Sequence, residues 1–240
     1  MNINTLTSKL MDSWFAHIAD ISPWLSFTPQ QQQHFGAWWD NLVRDENFRQ
    51  YTHRERRILR YHSVNGDPAR LEINPDANFQ PTVTYDIKYQ QGVNLLSYAE
   101  QGFIADALLQ QIIHFDQSLL YAVIGNPVPV TIDVHQFRVK ASAGQVSPTT
   151  SGIHQDGFDW IFMHFIHKHN AQPVISEIFS QQDEGSLVFS KEMSQFLETL
   201  VVNDKQCWHR ASSVEPCDNQ SPGWRDLLLV TCRYLPGTPL

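Results

Sequence analysis

The sequence predicts an α+β domain, mainly β, whose second half is a sandwich or barrel. Three observations predict it. Apolar residues recur at helical spacing near the N-terminus and again between residues 103 and 124. From Val128 onward, short apolar or alternating runs follow one another with turn residues between them. The chain has 240 residues, 42% of them hydrophobic, with seven Trp and fourteen Phe, enough for one substantial core. Helices first and many short strands afterwards suit an α+β architecture. No repeat or linker divides the chain, so residues 1–240 are read as a single domain.

The elements follow in order. Residues 5 to 19 place Leu6, Leu10, Met11, Trp14, Phe15 and Ile18 at helical spacing. Thr28-Pro29 reads as an N-cap followed by proline in the first turn, opening a helix that carries Phe35, Trp38, Trp39 and Leu42. These make residues 1–50 a helical N-terminal part. The period then changes. "RRILRYHSV" and "PTVTYDIKYQ" read as strands, with a turn signal at Asn65-Gly66-Asp67-Pro68. "FIADALLQQIIHFDQSLLYAVI" reads as a helix ending at Gly125. "VPVTIDVHQFRVK", "FDWIFMHFIH", "GSLVF", "FLETLVV" and "DLLLVTCRYL" read as strands. The loop from Ala141 to Ser151 is the most flexible candidate.

Composition excludes several classes. A net charge of −8 disfavours nucleic acid or an anionic membrane surface as a partner. The short basic patch of Arg54, Arg56, Arg57 and Arg60 reads as a solvated strand face or a local ion-pair site. Cys207, Cys217 and Cys232 lack CxxC spacing, which argues against a disulfide framework or a thiolate zinc site and fits a reducing cytoplasm. No apolar run approaches the roughly 18 residues of a membrane helix, and the N-terminus lacks the pattern of a signal peptide.

His-x-acid occurs three times, as His53/Glu55, His114/Asp116 and His154/Asp156. Chance alone supplies roughly one, so location must decide. His114 and Asp116 lie in the long helix, where positions i and i+2 point about 200° apart and cannot share an ion. His53 and Glu55 sit among arginines, which oppose a cation. His154 and Asp156 lie at a loop-to-strand junction between Gly152 and Gly157, where i and i+2 share a face. A surface loop with an incidental histidine is the alternative. A facial ferrous site needs two His and one carboxylate, and His209, in "QCWHRASSV", offers the second imidazole. Arg225 opens the apolar strand "RDLLLVT". A buried arginine there needs a partner, either an internal acid or a bound carboxylate in bidentate contact.

In that order, His154-x-Asp156, then His209 some fifty residues on, then Arg225, the chain resembles the Fe(II)/2-oxoglutarate-dependent dioxygenases. "DVHQFRVKA", "IHQDGFDWIFMHF", "FLETLVVNDKQCWHRASSV" and "WRDLLLVT" bring it close to the bacterial free-amino-acid hydroxylases of the L-isoleucine 4-hydroxylase kind. The resemblance runs over most of residues 54 to 235. It implies a double-stranded β-helix (jelly-roll) core, placed at residues 128–236, with helices outside. It also implies Fe(II) held by His154, Asp156 and His209, with 2-oxoglutarate chelating the metal and its distal carboxylate on Arg225. O2 would be consumed, succinate and CO2 released, and an unactivated C–H of a free, aliphatic L-amino acid hydroxylated. Many members add a Ser or Thr two residues after that arginine. Here the position is Leu227, so Thr231, or a tyrosine elsewhere, is the candidate for the second contact.

A free amino acid needs a cation for its carboxylate and an acceptor for its ammonium. Arg138, with Gln136 on the same strand face, is the candidate for the first. Asp159 or Glu177 is the candidate for the second, and Trp160, Phe162 and Trp208 for the pocket wall. His164, His167 and His169 read as a polar strand end rather than a zinc site, with His164 a possible neighbour of the iron. Two alternatives stay open: the same chemistry on another small molecule or a peptide- or carrier-bound residue, and a jelly-roll binding protein without turnover.

Overall fold

Asn2 opens the first helix, α1 (Ile3–Ser13), its side chain accepting the Thr5 amide at 2.9 Å. The structure is a computed structural model that describes residues 2–46, 52–74, 78–79, 94–148, 152–218 and 220–235. The segment "PTVTYDIKYQ" and residues 149–151 lie outside the described residues. Helix α1 ends six residues short of the sequence expectation, at Trp14, whose φ of 64° is left-handed. The residues after it become β1 (Phe15–Ile18), because they pair with a sheet edge. Tertiary pairing here outweighs a helical spacing of apolar residues.

Thr28 and Gln31 form a reciprocal capping box at the start of α2 (Pro29–Ala37). This helix ends earlier than expected, before Asp40 and Asn41, residues that compete with helical backbone bonds. Trp39 is still fully buried. Next come β2 (Val43–Arg44), β3 (Arg54–Ser63), β4 (Leu71–Asn74), β5 (Asn78–Phe79) and β6 (Asn94–Leu95). The expected long helix is split into α3 (Gln101–Ile104) and α4 (Ala107–Ile124). Asp106 makes the break: it caps α4 by accepting the Leu108 amide at 2.9 Å and holds Trp38 Nε1 at 2.9 Å. Gly125, at φ 82°, ends α4 as expected.

The remaining strands are β7 (Val130–Ala141), β8 (Trp160–His169), β9 (Ile175–Phe179), β10 (Leu187–Glu192), β11 (Thr199–Asn203), β12 (Trp208–Ala211) and β13 (Gly223–Tyr234). They form two facing sheets. The larger runs β1-β11-β8-β13-β7-β3-β2, with β4 also on β3, and the smaller runs β10-β9-β12. All their pairings are antiparallel. This mainly β core with few helices is the jelly roll that the sequence resemblance implies.

Alternation along the strands sorts side chains into two layers. Ile132, Val134, Phe162, Leu228 and Val230 point outward and pack with Leu109, Ile112 and Leu120 of α4. Ile161, Met163, Leu200 and Leu227 point inward toward Ile178 of the smaller sheet. One polar cluster interrupts the outer layer. Asp116 of α4, His164 of β8 and Thr199 of β11 are all fully buried. His164 Nε2 lies 3.0 Å from Asp116, and Nδ1 lies 2.8 Å from Thr199 Oγ1. The Thr199 hydroxyl donates to the Leu197 carbonyl, so it accepts from His164 Nδ1. Burial pushes the Asp116 carboxyl upward, against the pull of His164. No described helix is long and apolar enough to cross a membrane.

Candidate metal centre and its cavity

Two backbone bonds join residues far apart in the chain. The His154 amide donates to the His209 carbonyl at 3.0 Å, and the His209 amide returns the bond at 2.9 Å. This bridge extends the smaller sheet past β12 and sets the two imidazoles side by side, tilted 56° with 4.4 Å between centroids. Asp156, two residues on, swings its carboxylate between them: Oδ1 lies 3.6 Å from His154 Nε2 and Oδ2 lies 3.3 Å from His209 Nε2. One donor atom from each of the three lies within 4.8 Å of the others.

The imidazoles are oriented from behind. His154 Nδ1 lies 2.9 Å from the Gly152 carbonyl, which can only accept, so Nδ1 carries the proton. Its Nε2 lone pair then faces the cluster, buried and without a hydrogen-bond partner. Behind His209 stands Asp204, itself fully buried, with Oδ1 3.3 Å from Nδ1. The same carboxylate accepts the amides of Asp156 (3.2 Å), Gly157 (2.6 Å) and Phe158 (2.9 Å). Gly157 sits at φ 84°, a conformation glycine adopts without steric cost, which turns these amides inward. One buried anion thus holds both halves of the cluster.

The charges follow. Burial alone would raise the Asp156 carboxyl, but the imidazoles of His209 and His154, with Arg54 beyond them, hold it well below its ordinary range. Burial would lower His209, but Asp156 and Asp204 together push it up to about 10. Burial pulls His154 down, and His209 adds to that. One carboxylate and two imidazoles therefore converge on one point, with the Asp204 carboxylate behind His209, a set that suits a cation.

The cluster opens into a small cavity of about 80 Å³ between the sheets. Met163, Leu200 and Leu227 form apolar wall, and Arg225 and Ser176 form a polar end. Arg225 is 4% exposed, and burial lowers its pKa to about 10, so it stays charged at neutral pH. Its Nη2 donates to Ser176 Oγ at 3.0 Å. No described carboxylate pairs with it; the acidic charges it feels, Glu192 and Glu198, are engaged by Lys168 and Lys191.

The structure thus brings together four of the residues singled out in the sequence: His154, Asp156, His209 and Arg225. It puts the others elsewhere. Thr231 lies six residues along β13 from Arg225, roughly 20 Å at the usual strand rise, too far to share a carboxylate. Ser176, from β9, holds the place expected of Thr231. Arg138 and Gln136 face outward, away from the cavity. Arg138 grips Asp226 in bidentate fashion (2.7 and 2.8 Å) under Trp224, and Gln136 donates to the Trp38 carbonyl at 2.9 Å. The two candidates do share one face of β7, but it is the outer one: Phe137 and Val139 look inward. Asp159 is tied to Lys205 and to the Tyr234 amide, and Trp160 Nε1 donates to the Tyr234 hydroxyl at 2.7 Å in the outer layer. Glu177 is the exception: it belongs to the cavity lining, with its carboxylate held by Arg210 at 2.8 Å. His164 and Phe162 lie in the outer layer, on the far side of the larger sheet from the cluster.

Asp204 and Ser176 were missed. Asp204 stands five residues before His209 in "VVNDKQCWH", where an acid next to a polar turn reads as surface. Ser176 carried no signal at all.

Solved structures share this architecture. IDO from Bacillus thuringiensis superimposes with a TM-score of 0.80 at 18% identity, covering 98% of this chain and 96% of that one. A bsmA homolog from Methylobium petroleophilum PM1 gives 0.83 at 20% identity over 98% and 94%. The Fe(II)/(alpha)ketoglutarate-dependent dioxygenase TqaL gives 0.72 at 15% identity over 97% and 86%. At such identities the likeness is one of fold. No curated protein matches in sequence. The family model for 2OG-Fe dioxygenases matches residues 36–231, a span that takes in the three-donor cluster, Asp204, Ser176 and Arg225. The chain belongs to the 2OG-Fe dioxygenase family.

Proposed function

We propose that the protein hydroxylates an unactivated C–H of a free, aliphatic L-amino acid, with His154, Asp156 and His209 holding ferrous iron. The family uses Fe(II) and 2-oxoglutarate. The donor set suits that metal: two imidazoles and one carboxylate on one side, the remaining positions open toward the cavity. When bound, iron and 2-oxoglutarate supply the activation of O2 and the release of succinate and CO2. This chain's residues orient and shield. Gly152 and Asp204 aim the two imidazoles. Arg225, with the Ser176 hydroxyl, takes the distal carboxylate of 2-oxoglutarate. The apolar wall keeps water from the reacting carbon.

The observation that carries this reading is Arg225, a buried guanidinium facing the same cavity as the three donors, with the Ser176 hydroxyl as its described hydrogen-bond partner. A dianion reaching from the metal to that guanidinium satisfies both ends.

The purified protein, given Fe(II), ascorbate and 2-oxoglutarate, is expected to release succinate and add one oxygen atom to a member of an aliphatic amino-acid panel. Stoichiometric product would be read by mass spectrometry. Succinate without product would move the substrate to another small molecule or a tethered residue. His209→Ala is expected to end turnover and His114→Ala to leave it intact; equal loss in both would refute the choice among the three His-x-acid pairs.

Asp204→Ala is expected to weaken metal binding by about 10- to 100-fold, the usual range for a lost partner behind a ligand. Cobalt titration, followed by its visible absorption, would measure it. Wild-type affinity in a folded Asp204→Ala protein would deny the residue that role.

A further inference from the structure

The metal-side cavity is narrow for two organic occupants. Its volume is about 80 Å³, against roughly 300–1,000 Å³ for an ordinary small-molecule site. The parts of its wall that cannot yield therefore decide what fits. Met163 is an adaptable part, because an unbranched thioether repacks readily. Phe137 is different. It is the largest apolar side chain among the described lining residues, and it is 7% exposed.

The ring is braced and its place along the sheet is fixed. The Arg54 guanidinium lies 5.4 Å from the ring centroid and donates from Nη1 to the Pro148 carbonyl at 3.4 Å. Pro148 lines the same cavity, so one arginine ties two parts of the wall together. Asp45 holds that arginine in turn, 2.8 Å from Nη2. The ring belongs to a packed cluster with Val139, Ala141, Val174 and Val214. In the register of β7 on β13, Arg225 lies opposite Val139 and Leu227 opposite Phe137. The step from Arg225 to Leu227 is about 7 Å, close to the reach of a five-carbon dicarboxylate anchored on Arg225. Phe137 is thus level with the far end of such a ligand. It shares the cavity with His154 and Asp156, on the flank of β13 away from β8.

We propose that Phe137 is the specificity-determining wall for the primary substrate. Its ring meets the substrate's carbon chain beside the metal cluster and sets the longest chain that fits. This rests on the dioxygenase reading and deepens it: the aliphatic substrate is one whose length is capped by a single braced ring. A smaller side chain at position 137 lengthens the accepted chain, and a larger one shortens it. Co-substrate binding, anchored on Arg225 and Ser176, stays largely independent of it.

The test is anaerobic calorimetric titration of the protein loaded with Fe(II) and 2-oxoglutarate. The titrants are straight-chain L-amino acids differing by one methylene, from L-2-aminobutyrate to L-2-aminooctanoate. Wild type is expected to bind more tightly with each methylene up to a limit, and about tenfold or more weakly beyond it. Phe137→Leu is expected to move that limit up by at least one methylene and to tighten the first excluded member by about ten- to a hundredfold. Phe137→Trp is expected to move the limit down. Affinity for 2-oxoglutarate, titrated separately, is expected to stay within about threefold in both variants. If one variant does not fold, the other decides. The proposal is overturned if the folded variants keep the wild-type limit, if they weaken every member equally, or if wild type shows no limit. If wild type takes up 2-oxoglutarate but no amino acid, the free-amino-acid reading fails. A series of n-alkanols from propanol to octanol, which needs no head-group contact, then runs the same length test on Phe137. If wild type does not take up 2-oxoglutarate, the dioxygenase reading fails and this proposal falls with it.

Discussion

Arg225→Met is expected to remove 2-oxoglutarate binding and, at the same time, to raise the melting temperature of the ligand-free protein. The two effects have one cause. The guanidinium is 4% exposed and has Ser176 Oγ at 3.0 Å as its described hydrogen-bond partner. A buried charge so lightly satisfied is a cost to folding, and burial has already lowered its pKa to about 10. An unbranched apolar side chain of similar length removes that cost, which is worth about 1–2 kcal/mol. In a protein of this size such a gain raises the melting temperature by roughly 2–8 °C. For 2-oxoglutarate the sign reverses. Removing one member of a buried charge pair costs about 2–5 kcal/mol, or roughly 30-fold to several-thousand-fold in affinity. Thermal melts with and without 2-oxoglutarate would show both. A variant that melts lower and still gains stability from 2-oxoglutarate would mean that Arg225 is a structural ion-pair residue.

Asp116→Ala should be among the most destabilising single changes in the chain. It leaves His164 fully buried, with Thr199 still accepting at Nδ1 and nothing to receive Nε2. Breaking one side of a buried, hydrogen-bonded pair costs about 3–5 kcal/mol, a loss of roughly 6–20 °C in melting temperature. Replacing both members with leucine should recover most of that loss, because an apolar pair needs no partner. Metal affinity measured well below the melting temperature should stay near wild type, since His164 points to the helical side of the sheet and the His154 cluster to the other. Denaturant unfolding of the single and double variants would settle it: equal loss in both would mean that packing volume, and not the polar pair, holds α4 to the sheet.

These two sites show how unevenly function was legible. His154, Asp156, His209 and Arg225 could be found because each needs a particular residue type at a particular kind of position. The rest of the site could not. Ser176 is one serine among many until β9 is paired with β12 and set facing β13. Asp204 looks like a turn acid until the chain folds its carboxylate onto three amides and an imidazole. Asp116 belongs to the His-x-acid pair of the long helix, and its partner is a histidine 48 residues away. Arg138, the sequence's candidate for a substrate carboxylate, stands on the outer face of β7, bound to Asp226. A strand with polar residues on both faces gives alternation no phase to lock onto.

From residue types and spacing alone came the mainly β architecture, its helices, and the four side chains most tied to the chemistry. Local sequence can carry that much because periodicity, caps and costly buried charges are local properties. The layer each strand face belongs to, the carboxylate behind His209 and the hydroxyl beside Arg225 came from the folded chain. Each of these depends on which strands lie side by side and in which register, a choice made by contacts between residues tens of positions apart.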